Sequence, residues 1–187
     1  MIAMRRYTLI LVSLFTFSCV HAQVYGTNNG SISFSSDAPL ELIRASSNEM
    51  KGRVDMSKKI FAFSIRISSF NGFNSPLQKE HFNENYMESS TYPNAQFKGQ
   101  ITNLSEINFT QDGKYHVKTT GKMTIHGVER DVNIDGTLKV SKGTLEVLSN
   151  FVVKPEDYKI AIPSLVKDNI AKEIKVVVGT TLAPLKS

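Results

Sequence analysis

Cysteine is almost absent from this chain, which has one, Cys19, among 187 residues. A single cysteine excludes an internal disulfide, so the fold has to rest on its hydrophobic core. The sequence also has no tryptophan, and its apolar run at residues 7–17 is too short to span a bilayer as a helix. A glycine-rich phosphate loop and a Gly-x-Ser-x-Gly nucleophile motif are both missing.

The first 22 residues have the pattern of a secretory signal peptide. Two arginines precede the apolar run, and Val20-His21-Ala22 offers small residues where signal peptidase cleaves. We therefore predict export to the periplasm or the extracellular space, with cleavage before Gln23. A retained membrane anchor is one alternative. A lipid on Cys19 is another, although the residues before it fit a lipoprotein signal poorly.

Removal of 22 of the 187 residues would leave 165, a size typical of one domain with one core. The leader contains two arginines and no acidic residue, so the formal net charge falls from +5 to +3. The lysines are scattered and form no dense basic cluster, which argues against a nucleic-acid partner. Because no linker or repeat interrupts residues 23–187, we predict a single domain there.

Alternation of apolar and polar residues dominates the rest of the chain. Residues 61–67, 115–125 and 128–140 are the longest examples, and each predicts a strand with one dry face and one wet face. His126-Gly127 predicts a two-residue hairpin turn, because glycine tolerates the positive φ that such turns need. Residues 111–114 and 141–144 are predicted as further hairpin loops, and residues 26–30 as a turn-rich start.

Helical periodicity is confined to two stretches. From Gln78 to Ser89 two aromatic residues four apart share one face, while Glu80, Glu84 and Glu88 share the opposite face. A second short helix is predicted between Pro163 and Lys172. Strands with one dry face lose their exposed edges when the sheet closes on itself. We therefore predict an all-β fold, an antiparallel β-barrel of about eight strands with a short helical insertion.

Three segments, E-H-F-N-E-N-Y-M-E (80–88), T-Y-P-N-A-Q-F-K-G (91–99) and G-K-M-T-I-H-G-V-E-R-D-V (121–132), resemble the YceI-like family of exported proteins. The resemblance follows the mature chain in order. It implies a lipocalin-like barrel over residues 23–187 whose lumen holds a polyisoprenoid-type lipid. The chain departs from the family at His81-Phe82, where His-Leu or His-Met is usual, and it lacks the Gly-x-Trp signature of true lipocalins.

The dry faces of the predicted strands, with one aromatic residue of the helix, supply the candidate ligand-binding residues. These are Phe61, Phe63, Ile65, Phe82, Phe97, Val117, Met123, Leu138, Val147 and Phe151. The alternative is that such side chains fill the barrel completely. Gly99, Gly121 and Gly136 share the inward register, where a glycine either leaves space or marks a bulge or sharp bend.

Catalytic and metal-binding patterns are weak. His81, His116 and His126 lack His-x-His spacing, so we predict no metal site and assign His126 to its hairpin. Asp131 and Asp135 fall on the outward face, which leaves no acidic residue in the lumen to orient a base. We expect a protein without cofactors that is not an enzyme.

The predicted function is that of an exported lipid-binding protein carrying a long apolar, isoprenoid ligand in the barrel lumen. The main alternative is a structural or interaction module of the cell envelope with a filled barrel, and an enzyme comes third. The stripe of Glu80, Glu84 and Glu88 is either a solvated face or an acidic docking surface. A homodimer and a transient contact with a membrane or an envelope protein also stay open.

Overall fold

The computed structural model describes residues 24–109 and 111–185. Most of these residues lie in eight strands, and one helix, α1 (Pro76–His81), interrupts them. The strands are β1 (Val24–Asp37), β2 (Leu42–Asp55), β3 (Ile60–Arg66), β4 (Asn94–Ile101), β5 (Gly113–Ile125), β6 (Val128–Ser141), β7 (Thr144–Val153) and β8 (Ile174–Pro184). The predicted signal peptide, its cleavage site and Cys19 lie outside the described residues.

The eight strands close into a barrel in simple chain order. Each strand pairs antiparallel with the next, and β8 returns to pair with β1. The predicted all-β class, the antiparallel barrel and the strand number are therefore confirmed. Closure leaves the sheet without an exposed edge. Within residues 24–109 and 111–185, no helix has the length and apolar character needed to cross a membrane.

Two tight turns connect β5 to β6 and β6 to β7. His126 and Gly127 have φ values of 50° and 71°, and Lys142 and Gly143 have φ values of 48° and 78°. Positive φ at both central residues is the requirement of a type I′ turn, whose twist matches that of the strands it joins. Both predicted hairpins are confirmed.

Two loop predictions are wrong. Residues 26–30 lie inside β1, where the pairing with β2 shifts register between Thr27 and Gly30, so these turn-forming residues make a bulge. Residues 111–114 are not a hairpin loop either, because Gly113 already begins β5 and the connection from β4 is longer. That connection contains a 3-10 turn at Leu104–Glu106. In both places strand pairing overrides the local turn preference.

The helical insertion is shorter than the sequence predicts. Ser75 caps α1, since its Oγ accepts a hydrogen bond from Gln78 N at 3.1 Å, and Pro76 occupies the first turn. After α1 the chain makes one π-turn at Phe82–Tyr86. Glu88 then has a φ of 42°, which the predicted helix to Ser89 does not allow.

The predicted helix between Pro163 and Lys172 is wrong. One 3-10 turn, Ser164–Val166, lies there, with backbone hydrogen bonds from Val166 N to Pro163 O and from Asn169 N to Val166 O, both at 3.0 Å. These bonds span three residues, which gives short 3-10 turns instead of an α-helix. Residues 154–173 therefore form an irregular connection between β7 and β8.

The two ends of the barrel differ. We call the end that carries α1 and residues 154–173 the mouth, and the opposite end the base. At the base, Val140, Leu145 and Leu182 are at most 2% exposed and pack in one cluster with Phe61 and Leu138. A second cluster, which includes Met50, Ile65 and Phe70, lies toward the mouth. The base is thus closed by tight apolar packing.

Candidate functional site

A cavity of about 530 Å³ occupies the inside of the barrel. This volume falls within the range of roughly 300–1,000 Å³ that is typical of small-molecule sites. Leu145 and Leu182 form its floor at the base. Among the lining residues, Asn74, Leu77 and His81 are exposed to solvent, which places an opening beside α1. The inward side chains therefore do not fill the lumen.

The structure brings together all ten residues that the sequence predicted for the lumen. The cavity lining includes Phe61, Phe63, Ile65, Phe82, Phe97, Val117, Met123, Leu138, Val147 and Phe151. Strand register explains this, because Phe63 pairs with Phe97 and Phe97 with Met123 on adjacent strands. Direct contact between these side chains and a ligand stays a prediction.

An aromatic cluster that the sequence predicted only in part surrounds the mouth. The Phe82 ring stacks on Phe34 with centroids 5.3 Å apart, and Phe73 lies 5.1 Å from Phe82. Phe70 completes the group at 5.3 Å from Phe34. Such ring pairs contribute about 0.5–1.5 kcal/mol beyond area burial. The alternation of β1 could have identified Phe34, but Phe70 and Phe73 lie in an irregular segment without a period.

The irregular connection between β7 and β8 completes the wall. Its contribution is mainly aliphatic, from Pro155, Ile160, Ile162, Val166 and Ile170, and Asn169 of the same connection also lines the cavity. Two hydrogen bonds join this connection to the β1–β2 hairpin. Leu40 N donates to Asp168 O at 3.0 Å, and Ala171 N donates to Ser36 Oγ at 2.8 Å. A prediction of helix in this region therefore missed part of the site.

The polar groups of the lining include a carboxylate at the mouth. Glu41 accepts hydrogen bonds from Gln78 Nε2 at 2.7 Å and from Asn169 Nδ2 at 3.3 Å. Tyr86 also lines the cavity, and partial burial, followed by the negative charge of Glu41, raises the pKa of its phenol. No periodicity marks these residues, so the sequence did not reveal them.

Gly99, Gly121 and Gly136 each mark a close approach to the neighbouring strand, and of the three Gly136 also lines the cavity. Gly99 pairs with Gly121 across β4 and β5. A Cβ atom added to either residue would meet the backbone of the other strand, and the distance from a Gly121 Cβ to Gly99 Cα would be 2.7 Å. At Gly136 a Cβ would lie 2.9 Å from Leu148 O. Glycine at these positions therefore allows a close approach of neighbouring backbone.

The histidines at positions 81, 116 and 126 do not share one site. His126 Nδ1 lies 3.2 Å from the carbonyl oxygen of Tyr158, and Nε2 lies 3.2 Å from Glu88 Oε1. His116 Nε2 lies 3.4 Å from Asp135 Oδ2 on the outer face. Among the residues that the structure describes, no three His, Cys, Asp or Glu side chains gather as metal ligands do.

The acidic stripe does not form one helical face, so this prediction is wrong. Glu88 lies beyond the π-turn with a positive φ, and its carboxylate faces His126. Glu80 and Glu84 are exposed. The reason is that the helical turn ends at Tyr86, so the spacing of four no longer aligns the third residue with the other two.

Two hydroxyls of the cavity lining, those of Thr119 and Ser149, are engaged by the backbone. Thr119 Oγ1 donates to Ile134 O at 2.5 Å, and Ser149 Oγ donates to Asp135 O at 2.7 Å. Asp131 forms an ion pair with Lys122 at 3.4 Å on the outer face. A nucleophile needs a neighbouring base to remove its proton, and these two hydroxyl protons are instead held by carbonyl groups.

Comparison with solved structures identifies barrels of the same fold. A polyisoprenoid binding domain from Saccharophagus degradans superposes with a TM-score of 0.75 at 14% identity, covering 88% of this chain and 99% of that one. BcnA of Burkholderia cenocepacia gives 0.66 at 17% identity, with 82% and 96% coverage. The YceI protein of Campylobacter jejuni gives 0.53 at 19% identity, with 98% and 100% coverage.

Sequence comparison is consistent with the structural one. A search of curated protein sequences gives no match. The family model described as the YceI-like domain, however, matches residues 13–182, which is most of the chain and includes all eight strands up to Leu182. The chain therefore belongs to the YceI-like family.

Proposed function

We propose that this protein is an exported carrier that holds a long apolar lipid, of the isoprenoid class, in the lumen of its barrel. The observation that carries the proposal is the cavity itself, about 530 Å³ in volume and lined mainly by aliphatic and aromatic side chains. The related domain from Saccharophagus degradans is described as polyisoprenoid binding, which supports the same ligand class here.

The physical chemistry of the lining favours a long ligand over a short one. Transfer of one methylene group from water into an apolar site contributes about 0.8 kcal/mol. Immobilising a ligand costs roughly 4–15 kcal/mol, so several five-carbon units have to be buried before the free energy of burial exceeds this cost. A chain of repeated isoprene units meets this requirement with one kind of contact. A lumen that is closed at the base and open beside α1 suits such a chain.

The proposed role is binding and transport, without a chemical step. The lumen hydroxyls of Thr119 and Ser149 donate to carbonyl groups. Catalysis by acid and base needs groups that are free to exchange protons with a substrate, and these contacts favour a binding site instead.

The decisive experiment is gentle purification of the full chain from its native envelope, followed by solvent extraction and mass spectrometry. We expect an apolar, chain-like molecule in stoichiometric amount. N-terminal sequencing of the same sample tests export, with Gln23 expected as the first residue. A folded protein that yields no bound lipid and binds none on addition would contradict the proposal and favour an interaction module of the envelope.

A further inference from the structure

A single carboxylate at the mouth is held by two amides from other parts of the chain. Glu41 follows the turn after β1, Gln78 lies on α1, and Asn169 lies in the connection before β8. Gln78 Nε2 donates to Oε1 of Glu41 at 2.7 Å, and Asn169 Nδ2 donates to Oε2 at 3.3 Å. All three side chains line the cavity. The carboxylate is thus fixed at the cavity wall where the lumen reaches the mouth.

The orientation of Gln78 is determined by its own contacts. Its Oε1 accepts a hydrogen bond from Asn74 N at 2.9 Å, so its amide hydrogens point toward Glu41. A carboxylate has about four lone-pair positions, and the two amides occupy two of them. Glu41 therefore keeps the capacity to accept hydrogen bonds from a group inside the cavity.

The charge of the lining disfavours an anionic group at this point. Of the described residues that line the cavity, none is Lys or Arg, and the acidic ones are Glu41 and Asp135. Asp135 directs its carboxylate to His116 on the outer face, at 3.4 Å. The lining residue that can become cationic is His81, which is exposed. A phosphate or carboxylate head would lose water and meet a like charge instead of a counter-ion.

We propose that Glu41, held by Gln78 and Asn169, is the headgroup site of the cavity and selects a lipid with a hydroxyl head over one with an anionic head. This inference rests on the proposed function, since it requires a chain in the lumen. The base is closed by Leu145 and Leu182, which places the polar end of such a chain at the mouth. A hydroxyl donates to the carboxylate and needs no counter-ion.

Three probes that share one hydrocarbon chain test the assignment: geranylgeraniol, its methyl ether and its monophosphate. Binding to the delipidated full chain is measured for each. We expect the alcohol to bind about tenfold more tightly than the monophosphate, because a hydrogen bond to a charged acceptor is lost and a like charge is gained. The ether accepts but does not donate, so it should also bind less tightly than the alcohol.

The Glu41→Gln variant removes the negative charge and keeps the size of the side chain. The ratio between alcohol and monophosphate should fall to within about threefold in this variant. Glu173→Gln is the matched control, because Glu173 lies near the same end of the barrel, faces Lys154 at 3.5 Å and does not line the cavity. That variant should keep the ratio of the natural protein.

The results distinguish this inference from the proposed function. Equal affinity for all three probes in the natural protein would leave the lumen as a lipid site and overturn the headgroup assignment. An unchanged ratio in a folded Glu41→Gln variant would overturn it too. If none of the probes binds the folded protein, the proposed function fails and the headgroup site fails with it. The ranking in the natural protein decides the question even where a variant does not fold.

Discussion

Gly99 of β4 faces Gly121 of β5 directly, and the two strands approach so closely that neither position has room for a Cβ atom. A Cβ on Gly121 would also meet the carbonyl oxygen of Lys98. These contacts involve backbone, which cannot rotate away as the end of a side chain can. The pair therefore fixes a close separation of β4 and β5 at this point of the barrel wall.

Gly121→Ala should lower the free energy of unfolding by about 1–3 kcal/mol, since the strands have to separate to admit the methyl group. Gly179→Ala is the matched control in β8, because a Cβ there meets nothing within 4 Å. We expect that variant to change stability by no more than about 0.5 kcal/mol, with a gain as the favoured sign. Urea denaturation of both variants checks the prediction, and equal effects would contradict it.

Met123→Trp should reduce lipid binding while the barrel stays folded. Met123 lies in β5, where its backbone pairs with that of Arg130 in β6. Because residue 123 lines the cavity, an indole ring at this position would extend into the lumen. Because the ring enters empty space, we expect a stability loss below about 1 kcal/mol, less than the roughly 1–3 kcal/mol of an overpacked core.

Leu148→Trp serves as the control for Met123→Trp. Leu148 is 50% exposed and is not part of the cavity lining. Its substitution should leave the amount of bound lipid unchanged in a displacement assay with a fluorescent fatty probe. Equal loss of binding in the two variants would show that the lumen is not the binding site.

Titration of Asp55 should lower the free energy of unfolding at acidic pH. Hydrogen bonds from Ser57 Oγ and Lys58 N, with the nearby ammonium group of Lys58, lower the pKa of Asp55 from its ordinary value of 3.8. The unfolded chain therefore binds this proton more readily than the folded one. The stabilisation is complete above the ordinary pKa and is lost as the pH falls through the lowered value.

Asp55→Asn removes this titration. The free energy of unfolding of the natural protein should fall more steeply than that of the variant between about pH 5 and about pH 2. Parallel pH curves for the natural protein and Asp55→Asn would contradict the prediction.

The two type I′ turns should respond in opposite ways to asparagine. Lys142 has a φ of 48°, a region that asparagine tolerates better than lysine, so Lys142→Asn should add about 0.5 kcal/mol to the stability. His126→Asn keeps the same turn but removes the ring that approaches Tyr158 O and packs on Tyr92 with centroids 4.7 Å apart. It should cost about 1 kcal/mol.

Thermal unfolding of the two asparagine variants gives the comparison. A gain at Lys142 and a loss at His126 would show that the His126 side chain stabilises the mouth through its contacts. Losses of similar size in both variants would contradict that role, because the two turns share their backbone geometry.

Alternating strands were predictable because each one-residue step changes the face on which a side chain lies. This is why Phe61, Val117 and Phe151 could be assigned to the lumen without a structure, and why the hairpin at His126-Gly127 was placed correctly. Strands and tight hairpins depend on residues that are close in sequence, so a local sequence pattern is enough to predict them.

The mouth was not predictable in the same way. Glu41, Gln78 and Asn169 come together only when the barrel closes, and each is a polar residue of the kind that ordinarily faces solvent. The segment around Gly26-Thr27-Asn28-Asn29-Gly30 failed for the converse reason. Its local turn preference is strong, but pairing with β2 and β8 extends it as a strand.

The closed base has a consequence for how a ligand would enter and leave the barrel. In the carrier role proposed above, a floor of Leu145 and Leu182 would make a chain-like ligand enter tail first and leave head first through the mouth. The donor and the recipient of the cargo would then have to meet one face of the molecule in turn, never both at once. Delivery would follow a shuttle mechanism, in which each trip ends before the next begins, and not a conduit.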